Sequence, residues 1–241
     1  MSNNLFKFKQ FSINQDQCAM KVGTDGVLLG AWTTLKNKPF SVLDIGAGTG
    51  ILSLMLAQRS RADVIDALEI DELAYEQCVD NFEHSPWGDR LFCYHASLEE
   101  FADEIEDKYD LIVCNPPFFV EDYKTKNEQR DMARFQDAMP FDHLIESVAK
   151  LLSKNGIFSV IIPFKEESIL IEIASNFNLF PNNILHVKGS PTAKFKRSLI
   201  EFSFGVSDLE KETLIIETSR HQYTENYIKL TKDFYLKMKD S

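Results

Sequence analysis

Along the chain, short apolar runs alternate with stretches whose apolar residues recur every three or four positions. From Ser41 onward the alternation is regular. Val42–Ile45 reads as a strand and Ile51–Gln58 as a helix. Val64–Leu68 is a second strand, followed by a helix over Glu72–Glu83. Leu91–Tyr94, Leu111–Cys114 and Gly156–Ile162 are three further strands, with helices predicted over Leu98–Ile105 and Phe141–Leu152. Strands that alternate with helices predict a parallel, doubly wound α/β sheet of the Rossmann-like kind. The tail breaks the pattern. Asn183–Val187 and Ser198–Phe204 read as strands joined by a loop without a full helix, which predicts an antiparallel C-terminal edge. Leu214–Glu217 reads as a further edge strand and Tyr223–Met238 as a terminal helix. Before the core, Leu5–Ile13 alternates like a strand and Gly26–Trp32 is helical, with Gly23-Thr24-Asp25 as its N-cap. Residues 1–40 are therefore expected to be an N-terminal extension packed on a domain spanning 41–241.

The 241 residues suffice for one self-supporting core, and 44% hydrophobic with 26% charged residues is ordinary for a globular chain. No apolar run approaches the ~20 residues of a membrane span, and the first residues lack the apolar stretch of a secretory leader. Cys18, Cys78, Cys93 and Cys114 form no Cys-x-x-Cys pair and have no histidine at zinc spacing. Buried thiols in a cytoplasmic protein are expected, with no metal. The formal net charge of -11 is unevenly spread. Residues 1–40 hold five basic and two acidic residues, 41–110 four and seventeen, 111–180 seven and ten, and 181–241 ten and eight. A polyanion is thus opposed by the centre and tolerated by the ends.

Two motifs carry chemistry. Asp44-Ile45-Gly46-Ala47-Gly48-Thr49-Gly50 follows a strand and opens a helix, and Glu69 ends the next strand. Glycines there permit close backbone approach to a ligand, and an acid at that strand end can accept from ribose hydroxyls. The dinucleotide spacing Gly-x-Gly-x-x-Gly is absent. Asp44 before the first glycine would repel a pyrophosphate but suits an ammonium group, which favours S-adenosylmethionine over NAD. The second motif, Asn115-Pro116-Pro117-Phe118, follows the strand ending at Cys114. Its prolines remove two backbone donors. The Asn115 side chain and Pro116 carbonyl are left as acceptors suited to an NH₂ group, and Phe118 offers a face for a planar base.

Together these motifs resemble the class I S-adenosylmethionine-dependent amino methyltransferases. Phe8–Phe11, Cys18–Gly26, Leu28–Trp32, Ser85-Pro86-Trp87, Tyr223-x-x-x-Tyr227 and Phe234-Tyr235-Leu236 extend the likeness over nearly the whole chain. It is similar to the bacterial tRNA1(Val) (adenine-37 N6)-methyltransferase family. The resemblance implies methylation of an adenine N6 beside a tRNA anticodon, with tRNA as the partner and no membrane, metal or obligate protein partner. It implies Asn115, Pro116 and Phe118 as catalytic residues and Asp44, Gly46, Gly48, Gly50, Glu69 and Ser97 as cofactor contacts. Ser97 stands where the family has an aspartate, and Phe118-Phe119 where it often has two tyrosines. Phosphate-binding cations are sought in two clusters, Lys194, Lys196 and Arg197 after a Gly-Ser-Pro loop, and Lys124, Lys126, Arg130 and Arg134 after the Asn-Pro-Pro turn. The five histidines fall in no catalytic constellation. A protein glutamine N5-methyltransferase would present the same NH₂ but usually carries a helical domain before its core. A binding module that keeps the fold without catalysis would not need Asp44, Glu69 and Asn115 together.

Overall fold

The structure, a computed structural model, describes residues 4–117 and 139–238. Eight strands form one sheet. In chain order they are β3 (Ser41–Ile45), β4 (Val64–Glu69), β5 (Leu91–His95), β6 (Tyr109–Cys114), β7 (Leu152–Pro163), β8 (Leu179–Lys188), β9 (Arg197–Phe204) and β10 (Glu210–Ile215). Their order across the sheet is β10-β8-β9-β7-β6-β3-β4-β5. Strands β5, β4, β3, β6 and β7 are parallel, as the alternation predicts. β9 is antiparallel to both β7 and β8. The outermost strand β10 starts earlier than its apolar residues suggest and pairs parallel to β8.

Both sheet faces are covered, so the central strands are apolar throughout rather than alternating. Along β6, Leu111 and Val113 enter one core while Ile112 and Cys114 enter the other. The first core is closed by α1 (Thr24–Trp32), α2 (Ile51–Arg59) and α3 (Glu72–Glu83). The second is closed by α4 (Leu98–Glu104), α5 (Phe141–Leu151) and α6 (Glu167–Ser175). In α5 the buried set Leu144, Ile145, Val148 and Leu151 forms a helical stripe. Helix α6 was not legible as a separate element. It buries Leu170 and Ala174 fully and packs Ile171 and Ile173 partly against the core.

The segment before Ser41 enters the core. Every residue from Gly26 to Ala31 in α1 is buried, and the helix packs on α2 and β7. A Cβ at Gly30 would lie 2.8 Å from Met55 Sδ, so only glycine lets the two helices approach this closely. The expected strand Leu5–Ile13 is instead a hairpin of β1 (Leu5–Lys7) and β2 (Ser12–Asn14), turned where Phe8 N–H donates to Phe11 O at 2.9 Å. The terminal helix is likewise shorter than its periodicity predicts. It is α7 (Glu225–Thr231), after which Phe234 and Tyr235 turn back to the hairpin. Tyr235 bridges to Phe8, and the Phe234 carbonyl accepts from Lys9 N–H at 2.9 Å. Stacking of Phe8 on Phe11 and on Tyr235 outweighs helix continuation there. Cys18, Cys78 and Cys114 are buried free thiols as expected, and Cys93 is half-buried.

Candidate active site

Register builds the site. Ile45 pairs with Leu68 on one side and with Cys114 on the other. The residues that follow these three strand positions, Gly46, Glu69 and Asn115, therefore emerge side by side. The connection reverses direction across the sheet at β3, and such a switch point leaves a crevice outside the strand ends.

Gly46, Gly48 and Gly50 have φ of 71°, 55° and 77°, in the left-handed region that suits glycine. The loop is tied down at both sides. Ala47 N–H donates to Leu68 O at 2.8 Å, and Gly48 N–H donates to Glu69 Oε2 at 2.7 Å. Glu69 Oε1 accepts from Asp71 N–H at 2.9 Å, so the carboxylate is held in one orientation with lone pairs to spare. The glycines do different work. A Cβ on Gly46 or Gly48 would meet nothing within 4 Å, whereas one on Gly50 would lie 2.5 Å from Phe82 Cε1 and 2.9 Å from Cys78 Sγ. The first two keep space above the loop, and the third lets α2 start against α3.

Beneath the loop, Asp44 is completely buried. Its Oδ2 accepts from Ser53 N–H at 3.1 Å and Ser53 Oγ–H at 2.7 Å, while Oδ1 has no hydrogen-bond partner. Burial pushes this carboxyl up to about 7 against the Ser53 hydrogen bonds, and the Glu69 charge adds to the rise. An orphan buried acceptor and an open glycine cradle beside a free-edged carboxylate fit a cationic nucleoside cofactor better than a pyrophosphate.

Asn115 is half-buried and Pro116 buried at the end of β6. Gly26 at the start of α1 backs onto this turn, since a Cβ there would reach 4.0 Å from Asn115 Nδ2. The neighbouring Asp25 holds Arg197 through an Nε–Oδ2 contact of 2.8 Å. Arg197 thus links the 189–196 loop to the Asn115–Pro117 turn, while Lys194 and Lys196 of that loop stay exposed. Ser97 lies two residues beyond β5 and forms a capping box for α4. Its Oγ accepts from Glu100 N–H at 3.2 Å and donates to Glu100 Oε2 at 2.8 Å. Phe118, Lys124, Lys126, Arg130 and Arg134 lie outside the described residues.

The N-terminal segment reaches the same crevice, which no periodicity foretold. Asn81 of α3 is buried, donating to Thr49 O at 2.9 Å and Asn14 O at 3.0 Å and accepting from Asn14 N–H. Gln77 Oε1 accepts from Gln17 N–H at 3.0 Å. The buried Cys18 thiol is pushed up to about 12, by burial first and then by the charges of Glu69, Asp71 and Asp16. The only sequence signal was two amides on the apolar side of a helix.

The strand order, with one antiparallel strand set between β7 and β8, defines a class I methyltransferase. Residues 26–167 match the family described as the methyltransferase small domain. Solved structures agree on the fold. A predicted O-methyltransferase from Agrobacterium tumefaciens superposes with a TM-score of 0.67 at 16% identity, covering 87% of this chain and 96% of that one. The ribosomal protein L11 methylase of Lactobacillus delbrueckii gives 0.53 at 16% identity, over 75% and 77%. Closer in sequence is the tRNA1(Val) (adenine(37)-N6)-methyltransferase of Flavobacterium psychrophilum, 64% identical over 97% of this chain and 100% of its own length. The enzyme of that name from Bacteroides fragilis is 47% identical over 99% of this chain and 100% of its own length. The chain belongs to the tRNA1(Val) (adenine(37)-N6)-methyltransferase family.

Two outcomes are expected from the loop. Gly48→Val should fold with a loss of about 1–2 kcal/mol for its left-handed backbone and should fail to bind S-adenosylmethionine in calorimetry. Gly50→Ala should instead lower the melting temperature, because its Cβ enters Phe82 and Cys78. Wild-type affinity in Gly48→Val would remove the loop from the site.

Asp44 sets a pH dependence. Its unfolded pKa is near 3.8 and its folded value about 7, so between these values the folded chain holds a proton the unfolded chain has released. The stability this group contributes is full below the lower value and is lost as pH rises through about 7. Urea unfolding without cofactor should show wild type losing more stability than Asp44→Asn between about pH 5 and about pH 8. Equal losses would mean that Asp44 is ionised throughout.

Proposed function

We propose that this chain methylates the N6 amino group of adenine 37 in a tRNA, using S-adenosylmethionine. The observation that carries the chemistry is the register that sets Asn115 and Pro116 beside the Gly46–Gly50 loop. Full-length identity of 60–64% to enzymes named tRNA1(Val) (adenine(37)-N6)-methyltransferase supports this substrate. The same relatives disfavour a glutamine N5-methyltransferase or a non-catalytic module.

S-adenosylmethionine supplies a methyl group already activated on a sulfonium. Asp44, Gly46, Gly48, Gly50 and Glu69 would hold it, with Glu69 accepting from the ribose hydroxyls and Asp44 Oδ1 offering an acceptor beneath the loop. Ser97 would contribute its remaining lone pair at the β5 end. The adenine nitrogen is a poor nucleophile because its lone pair is delocalised into the ring. Asn115 Oδ1 and the Pro116 carbonyl accept its two hydrogens and favour a tetrahedral nitrogen whose lone pair is freed toward the glycine loop. That geometry exists only on the way to the transition state, so the two acceptors accelerate the reaction rather than merely bind. No side chain needs to remove a proton first, since a neutral arylamine is a very weak acid, and the methylated nitrogen sheds its extra proton to water afterwards. Phe118 would stack on the base once it has left its neighbours.

Lys194 and Lys196 supply phosphate contacts, with Arg197 positioned against Asp25 behind them. Lys124 and Lys126 are a second candidate source. We place the chain in the cytoplasm with its tRNA. Among the described residues no helix is long and apolar enough to cross a membrane.

Asn115→Ala should lower kcat ~10²-fold or more, about 2.7 kcal/mol on the barrier, with little change in cofactor affinity. Asn115→Asp should keep part of the activity, since a carboxylate still accepts both hydrogens. A near-normal rate in Asn115→Ala would mean that other groups orient the amine. For the RNA, Lys194→Ala/Lys196→Ala should weaken tRNA binding and reduce the salt slope by about 1–2 units of log K per log salt. S-adenosylmethionine affinity should not change. An unaltered slope would assign tRNA contact to other residues.

A further inference from the structure

Two exposed phenylalanines stand together on the substrate side of the sheet. Phe164 follows the end of β7 and is 37% exposed, and Phe195 precedes β9 and is 36% exposed. Their ring centroids are 5.1 Å apart at 36°. His186 completes the cluster from below, 5.0 Å from Phe164 and 5.3 Å from Phe195. Its Nε2 meets Glu167 Oε2 at 2.7 Å, and Ser198 Oγ donates to the same oxygen, which fixes the imidazole and occupies this acid. The backbone is fixed as well. Phe164 N–H donates to Lys196 O at 3.1 Å, and Lys196 N–H donates to Val187 O at 2.8 Å. Solvated phenylalanine is unfavourable by the ordinary rule of burial, yet here two such rings are held rigid at the surface.

Their surroundings are cationic. Lys188 Nζ lies 5.6 Å over the Phe195 ring and donates to Pro191 O, while Lys194 and Lys196 flank Phe195 in the chain. From Lys188 to Arg197 there is no acidic residue. Acids close to the cluster are Asp25, which meets Arg197, Glu166 and Glu167 beside Phe164, and Glu217, whose N–H donates to Gly189 O at 2.9 Å. The cluster is also close to the reaction. Cys114 pairs with Val160, so Asn115 and Phe164 differ by about three strand steps, roughly 10 Å at 3.3 Å per residue.

Rigid exposed rings with lysines around them match a single-stranded nucleic acid, whose bases have faces and whose backbone has charge. We propose that Phe164 and Phe195 form a stacking platform for an unpaired base next to the target adenine, with Lys188, Lys194 and Lys196 on the adjoining phosphates. This rests on RNA being the substrate. The platform would hold the flanking nucleotide while the target base turns into the crevice, and so contributes to selecting an unpaired loop over a duplex.

The test compares full-length wild type and Phe164→Ala/Phe195→Ala on an anticodon stem-loop transcript, and on the same RNA with abasic nucleotides on both sides of the target adenine. The double variant should bind the intact RNA roughly tenfold more weakly, and the abasic RNA as weakly as wild type binds it. Cofactor affinity and melting temperature are the controls for folding. Should the alanines unfold the chain, Phe164→Leu/Phe195→Leu keeps the apolar volume and should lose the same discrimination. Phe195→Trp adds a spectroscopic readout, because stacking should quench its emission beyond the change seen in wild type with Trp32 and Trp87. Equal affinity of wild type and double variant for the intact RNA overturns the platform, and would leave the rings to a protein partner. Wild type that neither binds nor methylates the intact RNA fails the functional reading itself, a different result from losing the platform alone.

Discussion

The alignment of three parallel strand ends is the constraint on which the site depends. β3 and β6 stop at paired positions and β4 runs one residue further, so the glycine turn, the Glu69 carboxylate and the Asn115 amide emerge together at the same edge of the sheet. A one-residue slip would turn each of these side chains to the opposite face. Register is defended by burial on both faces. Val42, Leu43 and Ile45 on β3 and Leu111, Ile112 and Val113 on β6 are all at or below 1% exposure, and moving any of them out of its core would sacrifice roughly 1.5–3 kcal/mol. The sheet therefore positions groups that make few contacts with one another.

What the strands leave open, buried amides close. Asn81 holds the glycine loop and the N-terminal hairpin at once, and Gln77 holds the next residues of the same segment. Residues 14–22 carry little apolar surface that could do this by packing. Hydrogen bonds to backbone groups fix them in one place, and each leaves an unsatisfied partner if broken. The clasp of Tyr235 on Phe8 ties the other end of the chain to the same hairpin. The first forty residues are thus connected to the crevice through polar side chains whose partners lie 60 to 70 positions away.

That distance explains what could be read from sequence. The strands of the central sheet were legible because β-branched and apolar runs declare themselves locally, and the glycine and Asn-Pro-Pro motifs because their backbone demands are local too. The path of residues 8–22 was not, since Asn81 and Gln77 look like ordinary polar positions until α3 is seen against β2. The end of α7 is not legible, because Tyr223–Met238 keeps helical spacing and only the aromatic contact with the hairpin decides that the chain turns at Lys232. Ser97 stood out as a departure from its family at a strand end, and its capping box with Glu100 became visible only once α4 was placed. The ring cluster of Phe164, His186 and Phe195 comes from three separate segments, with nothing in any one to announce the others.

Charge follows the same geography. Most of the seventeen acids of residues 41–110 belong to β3, β4, β5 and the helices and loops around them, and Asp110 is carried by β6. The lysines of the 188–197 loop lie on the other side, beyond β7. Asn115, just after β6, sits at the border. With a screening length of about 8 Å in physiological salt, each substrate senses mainly its own half. A cationic cofactor is drawn toward the acidic half and a polyanion is turned away from it. The net charge of -11 is therefore compatible with a polyanionic substrate, because the acids that repel phosphate are gathered around the glycine loop and the lysines lie elsewhere.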